Sequence, residues 1–242
     1  NQLLAKLIRG TSIINPKIFL TNYILLDDVD KNNINKRLSQ FVKKSISNFM
    51  LPLTNLYSKN KYGVSKGIIY QLNESLGSIK LYKDRKIINN LSDKDKSGLS
   101  KSGIEIGELF IWIPKIIKNK QRNYLWSLRQ IFYESKVRSD YPNINKVVKK
   151  RNVPKEILYS NEFILIGENY YHFQLIENII KSIKKIIKNK KIFFTNKKNT
   201  NYFNKNFNLS HHQLKEILYV LNFKKDKVNP VKYFLIESNE EK

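Results

Sequence analysis

Cysteine is absent from this chain of 242 residues. Disulfides, thiolate metal sites and cysteine nucleophiles are thereby excluded. Also missing is any apolar run near the ~20 residues of a membrane-crossing helix. The opening residues lack a basic start followed by an apolar stretch, so no signal peptide is read there. No Gly-x-x-x-x-Gly-Lys-Ser/Thr occurs, which removes an ATP phosphate cradle of that type. Histidine is scarce: His172, His211 and His212 are the three. Adjacent histidines on a helix point ~100° apart and share one metal poorly. The pair is read as the start of a helix behind Ser210. No serine or aspartate is tied to these histidines by a catalytic motif. Acids are few, and the densest are Asp27, Asp28 and Asp30. They are read as the entry to a helix, whose N-terminus favours negative charge.

Lysine is what the chain has in excess. Lys+Arg total 45 against 20 Asp+Glu, a formal charge of +25. A field of that size attracts polyanions and speeds their association, so nucleic acid is the leading partner class. Arginines number only seven, and Asn and Ile are abundant. Drift in an AT-rich genome also produces lysine, but it would not hold the acids down. A cytoplasmic chain with no membrane contact is expected.

Apolar spacing sets the element map. NQLLAKLIRG (1–10) carries Leu3, Leu4, Leu7 and Ile8 and predicts a short helix ending at Gly10. KIFLTNYILL (17–26) predicts a strand. Leu38, Phe41, Val42, Ile46, Phe49, Met50 and Leu53 keep helical period from Lys36 to Tyr57, with Pro52 expected to kink or end the helix. Val64, Ile68, Leu72 and Leu76 share one face of a helix that Gly77 stops. Gly67 inside it predicts a close helix–helix crossing. Residues 84–103 are polar with a weak helical pattern. IEIGELFIWIP (104–114) predicts two short strands turning at Gly107, and 115–134 a helix. Residues 135–155 are polar, basic and carry two prolines, the signature of a linker.

The pattern then changes. FILIGENYYHF (163–173) predicts a hairpin turning at 167–169. The following helix has Phe173, Ile176, Ile180, Ile183 and Ile187 on one side and Lys181, Lys184, Lys185 and Lys188 on the other. NLSHHQLKEILYVLNF (208–223) opens with Ser210 and Gln213 at capping-box spacing. KYFLIES (232–238) predicts a closing strand. The expected fold is mostly α with small β elements, an α+β chain. A helical accessory domain with short strands (1–140) is followed by a basic linker (141–157) and a small winged-helix-like module (158–242).

GELFIWIPKIIKNKQRNYLWSLRQIF (107–132) holds both tryptophans, Trp112 and Trp126. Trp112, between two isoleucines, reads as core. Lys115, Lys118, Lys120, Arg122 and Arg129 surround Trp126 and Tyr124. Cations neutralise phosphates, and an exposed aromatic stacks on an unpaired base for ~1–3 kcal/mol. These five cations with Trp126, and Lys181, Lys184, Lys185 and Lys188, are the candidate nucleic-acid contacts. Trp126 fits a core role as well as a stacking one.

Four segments resemble the C-terminal region of the long alphaproteobacterial helicases related to the mitochondrial degradasome RNA helicase, which are of DExH type. QLLAKLIRGTSIINPKIFL resembles the passage just after their motor domains. In KYGVSKGIIYQLNESLGSI, Gly63, Gly67, Tyr70, Leu72, Glu74, Leu76 and Gly77 match a Gly-x-x-x-Gly-x-x-(Phe/Tyr)-x-Leu-x-Glu-x-Leu-Gly helix. SGIEIGELFIWIPKIIKNKQRNYLWSLRQIF, the most specific, is similar to their Gly-x-x-x-Gly…Pro-x-Leu-Leu-Lys-Pro…Leu-Trp-x-Leu passage. NLSHHQLKEILYVLNF resembles their terminal helix. Asn119 stands near where that family has proline, Asn222 where it has glycine, and the chain closes on SNEEK instead of a basic, Pro-rich tail. The resemblance implies a parent that couples ATP hydrolysis to movement on RNA, or on DNA. Its motor domains, with their ATP and magnesium, would lie upstream of Asn1. This segment would hold no cofactor or metal and would grip RNA or single-stranded nucleic acid beside the motor. The alternative is a stand-alone basic RNA-binding or ribosome-associated protein. A third reading is an interaction scaffold whose charge is drift alone.

Overall fold

The computed structural model describes residues 4–21, 27–59, 64–81, 88, 90–136, 138–151, 153–188 and 190–236. The chain is of mixed α+β type and divides into two units that interleave along the sequence. The first comprises Asn1–Ile106, Ile111–Tyr141 and Pro154–Asn161; the second comprises Gly107–Phe110, Pro142–Val153 and Glu162–Lys242. The segment expected to be a linker is therefore shared between the units.

In the first unit, β1 (Ala5–Ser12) pairs antiparallel with β2 (Asn15–Leu20), Ala5 opposite Leu20. This corrects the helix expected over 1–10. Leu4, Leu7 and Ile8 satisfy a helical spacing, but pairing with 15–20 decides the outcome, and local propensity is the weaker force. Gly10 sits in the irregular stretch of the ladder between Ile8 and Ser12. A Cβ there would lie 1.8 Å from the Asn15 carbonyl oxygen, so Gly10 serves a close backbone approach rather than a helix end.

The long helix α1 (Asp28–Lys59) begins where the acids cluster. The Asp27 carboxylate accepts the Asp30 N–H at 2.7 Å, and Lys31 pairs with Asp28 at 2.9 Å. These are helix-entry roles. The helix continues through Pro52 to Lys59 rather than ending there. Ile46, Phe49, Met50, Leu53 and Leu56 form its buried stripe. Helix α2 (Val64–Glu74) buries Ile68, Ile69 and Leu72 and closes at Gly77, φ +103°. The Gly77 N–H donates to the Leu72 carbonyl at 2.7 Å. Gly67 does not mark a helix crossing: it is exposed, and a Cβ there would meet nothing within 4 Å. Helix α3 (Asp93–Lys101) starts with a reciprocal Ser92–Asp95 capping box.

Strands β3 (Ser78–Lys80), β5 (Phe110–Trp112) and β4 (Glu105–Ile106) form a sheet in the order β3-β5-β4. Ile111, Trp112 and Ile113 are buried, as the apolar run predicts. Helix α4 (Asn119–Phe132) buries Leu125 and Leu128, and the short α5 (Lys155–Leu158) buries Ile157.

The second unit opens with β6 (Val148–Lys149), β7 (Phe163–Ile166) and β8 (Asn169–His172), a sheet ordered β6-β8-β7. Phe163 faces His172 across the hairpin that turns at Gly167. Helix α6 (Phe173–Ile187) follows, capped by His172, whose Nδ1 accepts the Gln174 N–H. Its buried face is Phe173, Leu175, Ile176, Ile179, Ile180, Ile183 and Ile187, the predicted apolar side. Then come β9 (Ile192–Phe194), α7 (Lys197–Phe207), α8 (His211–Val220), β10 (Phe223–Lys225) and β11 (Lys232–Leu235). Asn208 turns the chain in the left-handed region between α7 and α8, and the Ser210–Gln213 capping box starts α8. The three strands pair in the order β10-β11-β9, all antiparallel. The order is thus helix, strand, two helices and a closing hairpin, with the last strand central in its sheet.

One buried carboxylate holds an early stretch of chain in this unit. Glu177 of α6 accepts the N–H groups of Glu108 (3.0 Å), Leu109 (2.8 Å) and Phe110 (3.1 Å). The Phe110 ring lies 5.7 Å from that of Phe173. A Cβ at Gly107 would fall 2.4 Å from the Glu177 carboxyl carbon, so that position needs glycine.

Two stability outcomes follow. Glu177→Ala leaves three backbone donors, two of them buried, without an acceptor and lowers unfolding free energy by about 3–5 kcal/mol in urea titration. A loss under ~1 kcal/mol would mean that these donors are satisfied by solvent. Gly67→Ala has room for its methyl and raises stability by about 0.5–1 kcal/mol; a decrease would contradict the open site.

Candidate nucleic-acid interface

The cations expected around Trp126 separate into two groups. Lys115, Lys118 and Lys120 are exposed at the entry to α4. Trp126, Arg122 and Arg129 are interior, at 2%, 7% and 3% exposure, which corrects their placing on an outward face. Each has an internal task. The Trp126 indole N–H donates to the Ser139 carbonyl at 2.9 Å, and its ring meets Tyr141 edge-on at 5.3 Å. Arg122 donates to the Ile117 carbonyl at 2.6 Å and lies 5.1 Å from the Tyr141 ring. Gln130 joins them on the Ser139 carbonyl. Together they fasten residues 139–141 onto α4. Arg129 donates to the Ser160 hydroxyl at 3.1 Å, and Glu156, also buried, takes a hydrogen bond from Ser135.

Arg129 still acts at a distance. Lys80, half-buried on β3, is held down to about 8, by loss of solvent first and by the Arg129 charge second. Beside the exposed lysines, a groove of about 550 Å³ between α1 and α4 is lined by Ser45, Asn48, Lys120, Gln121, Asn123 and Ser127, with Phe49 and Tyr124 at its base. These two rings meet at 5.8 Å.

In the second unit, Lys181, Lys184, Lys185 and Lys188 of α6 are all exposed. Lys184 is committed to an ion pair with Glu108. The module offers a second basic surface that residue patterns alone did not single out. His211, Lys215 and Tyr219 stand at i, i+4 and i+8 on α8 and so share one stripe. His211 is exposed, and Tyr219 is 52% exposed. Partial loss of solvent, then the Lys215 charge, holds the His211 imidazole below its ordinary range. Behind α8 come the exposed Lys224, Lys225 and Lys227 and the half-buried Lys232 of the β10–β11 hairpin. The signal was present in FKKDKVNPVKYF: an Asp-x-x-Asn-Pro turn between two strand-like halves. His212 pairs with Glu216 at 3.6 Å, as a helix-surface contact.

What the arrangement can do is neutral with respect to base identity. Lysines on a helix and a hairpin are able to neutralise phosphates, and an exposed tyrosine on the same helix has the face that stacking on a base requires. Among the described residues no group of three His, Asp or Glu side chains is placed to hold a metal ion, and no helix is long and apolar enough to cross a membrane.

No protein-family model, curated protein or solved structure matches the chain.

The Lys80 titration gives a measurable consequence. Its folded value lies below the ordinary lysine value of 10.5. Between pH 8 and 10.5 the unfolded chain binds more protons, so stability rises with pH across that window. Lys80→Met flattens the rise and increases the thermal midpoint at pH 7. An unchanged pH profile would show that Lys80 is solvated.

Proposed function

We propose that this chain is an accessory region of an ATP-dependent helicase acting on RNA or DNA, and that its winged-helix module grips the backbone of the strand being moved. The observation that carries the reading is the module itself. Its second helix after β9, the position that enters nucleic acid in helix-turn-helix proteins, carries the exposed His211 and Tyr219 with the half-buried Lys215 on the stripe between them. Lysines of the neighbouring hairpin extend the surface. Lys115, Lys118 and Lys120 of the first unit would add phosphate contacts, as would Lys181, Lys185 and Lys188 on α6.

The two departures from the resembled helicases support the reading. Asn222 stands where they have glycine, and its φ of +64° is a conformation that glycine adopts without strain and asparagine tolerates. Asn119 stands near their proline and is the first residue of α4, the helical position that favours proline. Both substitutions keep the local backbone. Motor domains of the same polypeptide would bind ATP and magnesium and supply the force; this region would supply hold, without reading sequence. A cytoplasmic site of action goes with that role.

The test is the affinity of the whole chain for a fluorescent single-stranded RNA across a salt series. Contact with about four phosphates predicts a ~50-fold loss between 50 and 200 mM salt. Replacing Lys215, Lys224, Lys225 and Lys227 by Ser lowers affinity by about tenfold or more at low salt, and more than replacing Lys181, Lys184, Lys185 and Lys188. Salt-independent binding, or none, would overturn the reading.

A further inference from the structure

We propose that the turn of the β10–β11 hairpin, residues 226–231, is a rigid apolar wedge that seats on the end of a nucleic-acid duplex at its junction with single strand. The inference rests on the nucleic-acid reading above and adds a substrate: paired, not only unpaired, nucleic acid.

Val228 at the tip is 93% exposed, the most open of the exposed large apolar side chains among the described residues. Val231 beside it is 38% exposed. Such side chains at a hairpin tip gain nothing for the fold. Nor is the turn a loose one that leaves Val228 outside by chance. The Asp226 carboxylate accepts the N–H of Val228 at 2.7 Å and of Asn229 at 2.8 Å. Asn229 Oδ1 accepts the Val231 N–H at 3.2 Å. The Asp226 N–H donates to the Lys232 carbonyl at 2.9 Å, and the Lys232 N–H to the Asn229 carbonyl at 3.1 Å. Those donors hold the Asp226 carboxyl below its usual range. The tip is ordered before any ligand arrives, and binding it costs little further entropy.

The surroundings of the tip identify what it fits. Lys224, Lys225 and Lys227 are exposed on the hairpin, and the Lys232 amine lies over the Phe234 ring at 4.5 Å. An apolar point ringed by cations is the complement of a duplex end, which is a flat apolar base-pair face ringed by phosphates. A site for unpaired bases would carry an aromatic at the tip, because stacking on single strands is done by rings. Residues 226–231, DKVNPV, include none. Aliphatic side chains are instead the wedges that proteins press against base steps to unstack them. Val228 would rest on the terminal pair while the lysines hold both backbones, which favours fraying of that pair.

The experiment uses the whole chain and a forked RNA duplex carrying 2-aminopurine in the pair next to the fork, alongside the single strand alone. Binding to the fork should raise the fluorescence about twofold or more, as unstacking does. Val228→Ser, at a site with no packing to lose, should remove most of that rise while affinity for the single strand stays within about twofold. Fork binding with no fluorescence change, or a Val228→Ser response equal to the natural chain, overturns the wedge and leaves the backbone grip standing. No binding to either RNA overturns both.

Discussion

The second unit depends on a carboxylate placed where no carboxylate is cheap. Glu177 is buried on α6, and loss of solvent pushes its carboxyl above the usual range. Three backbone N–H groups from Glu108, Leu109 and Phe110 oppose that cost and keep the carboxylate useful. They arrive from nearly seventy residues earlier in the chain, so this contact ties α6 to a distant turn. An amide would offer one acceptor oxygen where the turn needs two. Seven residues further along α6, two turns on and on the same side, Lys184 pairs with Glu108. The turn is thus held at two points along one helix, and Phe110 packs on Phe173 at its start. With α6 fixed in this way, β9, α7, α8 and the closing hairpin have a first helix to build on.

Charge in this chain is divided by what the fold leaves outside. Two arginines lie inside the first unit, where Arg122 and Arg129 use their planar fork of donors on a carbonyl and a hydroxyl, while Arg9, Arg37, Arg138 and Arg151 stay exposed. Lysine, a hydrated point charge on a flexible stem, is exposed along α6 and at Lys224, Lys225 and Lys227 of the hairpin, and half-buried at Lys215 and Lys232. A surface built mostly from lysine offers phosphate charge without the fixed geometry that a base edge requires, as the proposed grip on a moving strand would need. Tyr219, the exposed aromatic on α8, would add sequence-tolerant stacking to the proposed grip.

Much of the second unit was legible because its signals are local. The isoleucine face of α6, the capping box at Ser210, the hairpin about Gly167 and the closing strand all declare themselves within a dozen residues. The first unit was harder. Leu4, Leu7 and Ile8 fit two periods, and only the partner strand at 15–20 chooses between them. Pro52 breaks a helix in most contexts, yet α1 passes through it on the strength of its buried stripe. Burial of Arg122, Trp126 and Arg129 could not be read from a basic–aromatic pattern, because the groups that satisfy them, at Ser139, Tyr141 and Ser160, lie in a stretch whose composition resembles a linker. The basic hairpin was overlooked for the opposite reason: its turn chemistry was visible, but its lysines were submerged in a chain where lysine is everywhere.

The central claim is that α8 and the hairpin after it form the surface that meets nucleic acid. The most direct measurement is photocrosslinking of the chain to a 4-thiouridine-labelled RNA, with mass spectrometry of the attached peptides. The account predicts crosslinks at Tyr219 and within residues 224–232. Crosslinks confined to α1 or the β1–β2 hairpin, with none in residues 211–232, would contradict it.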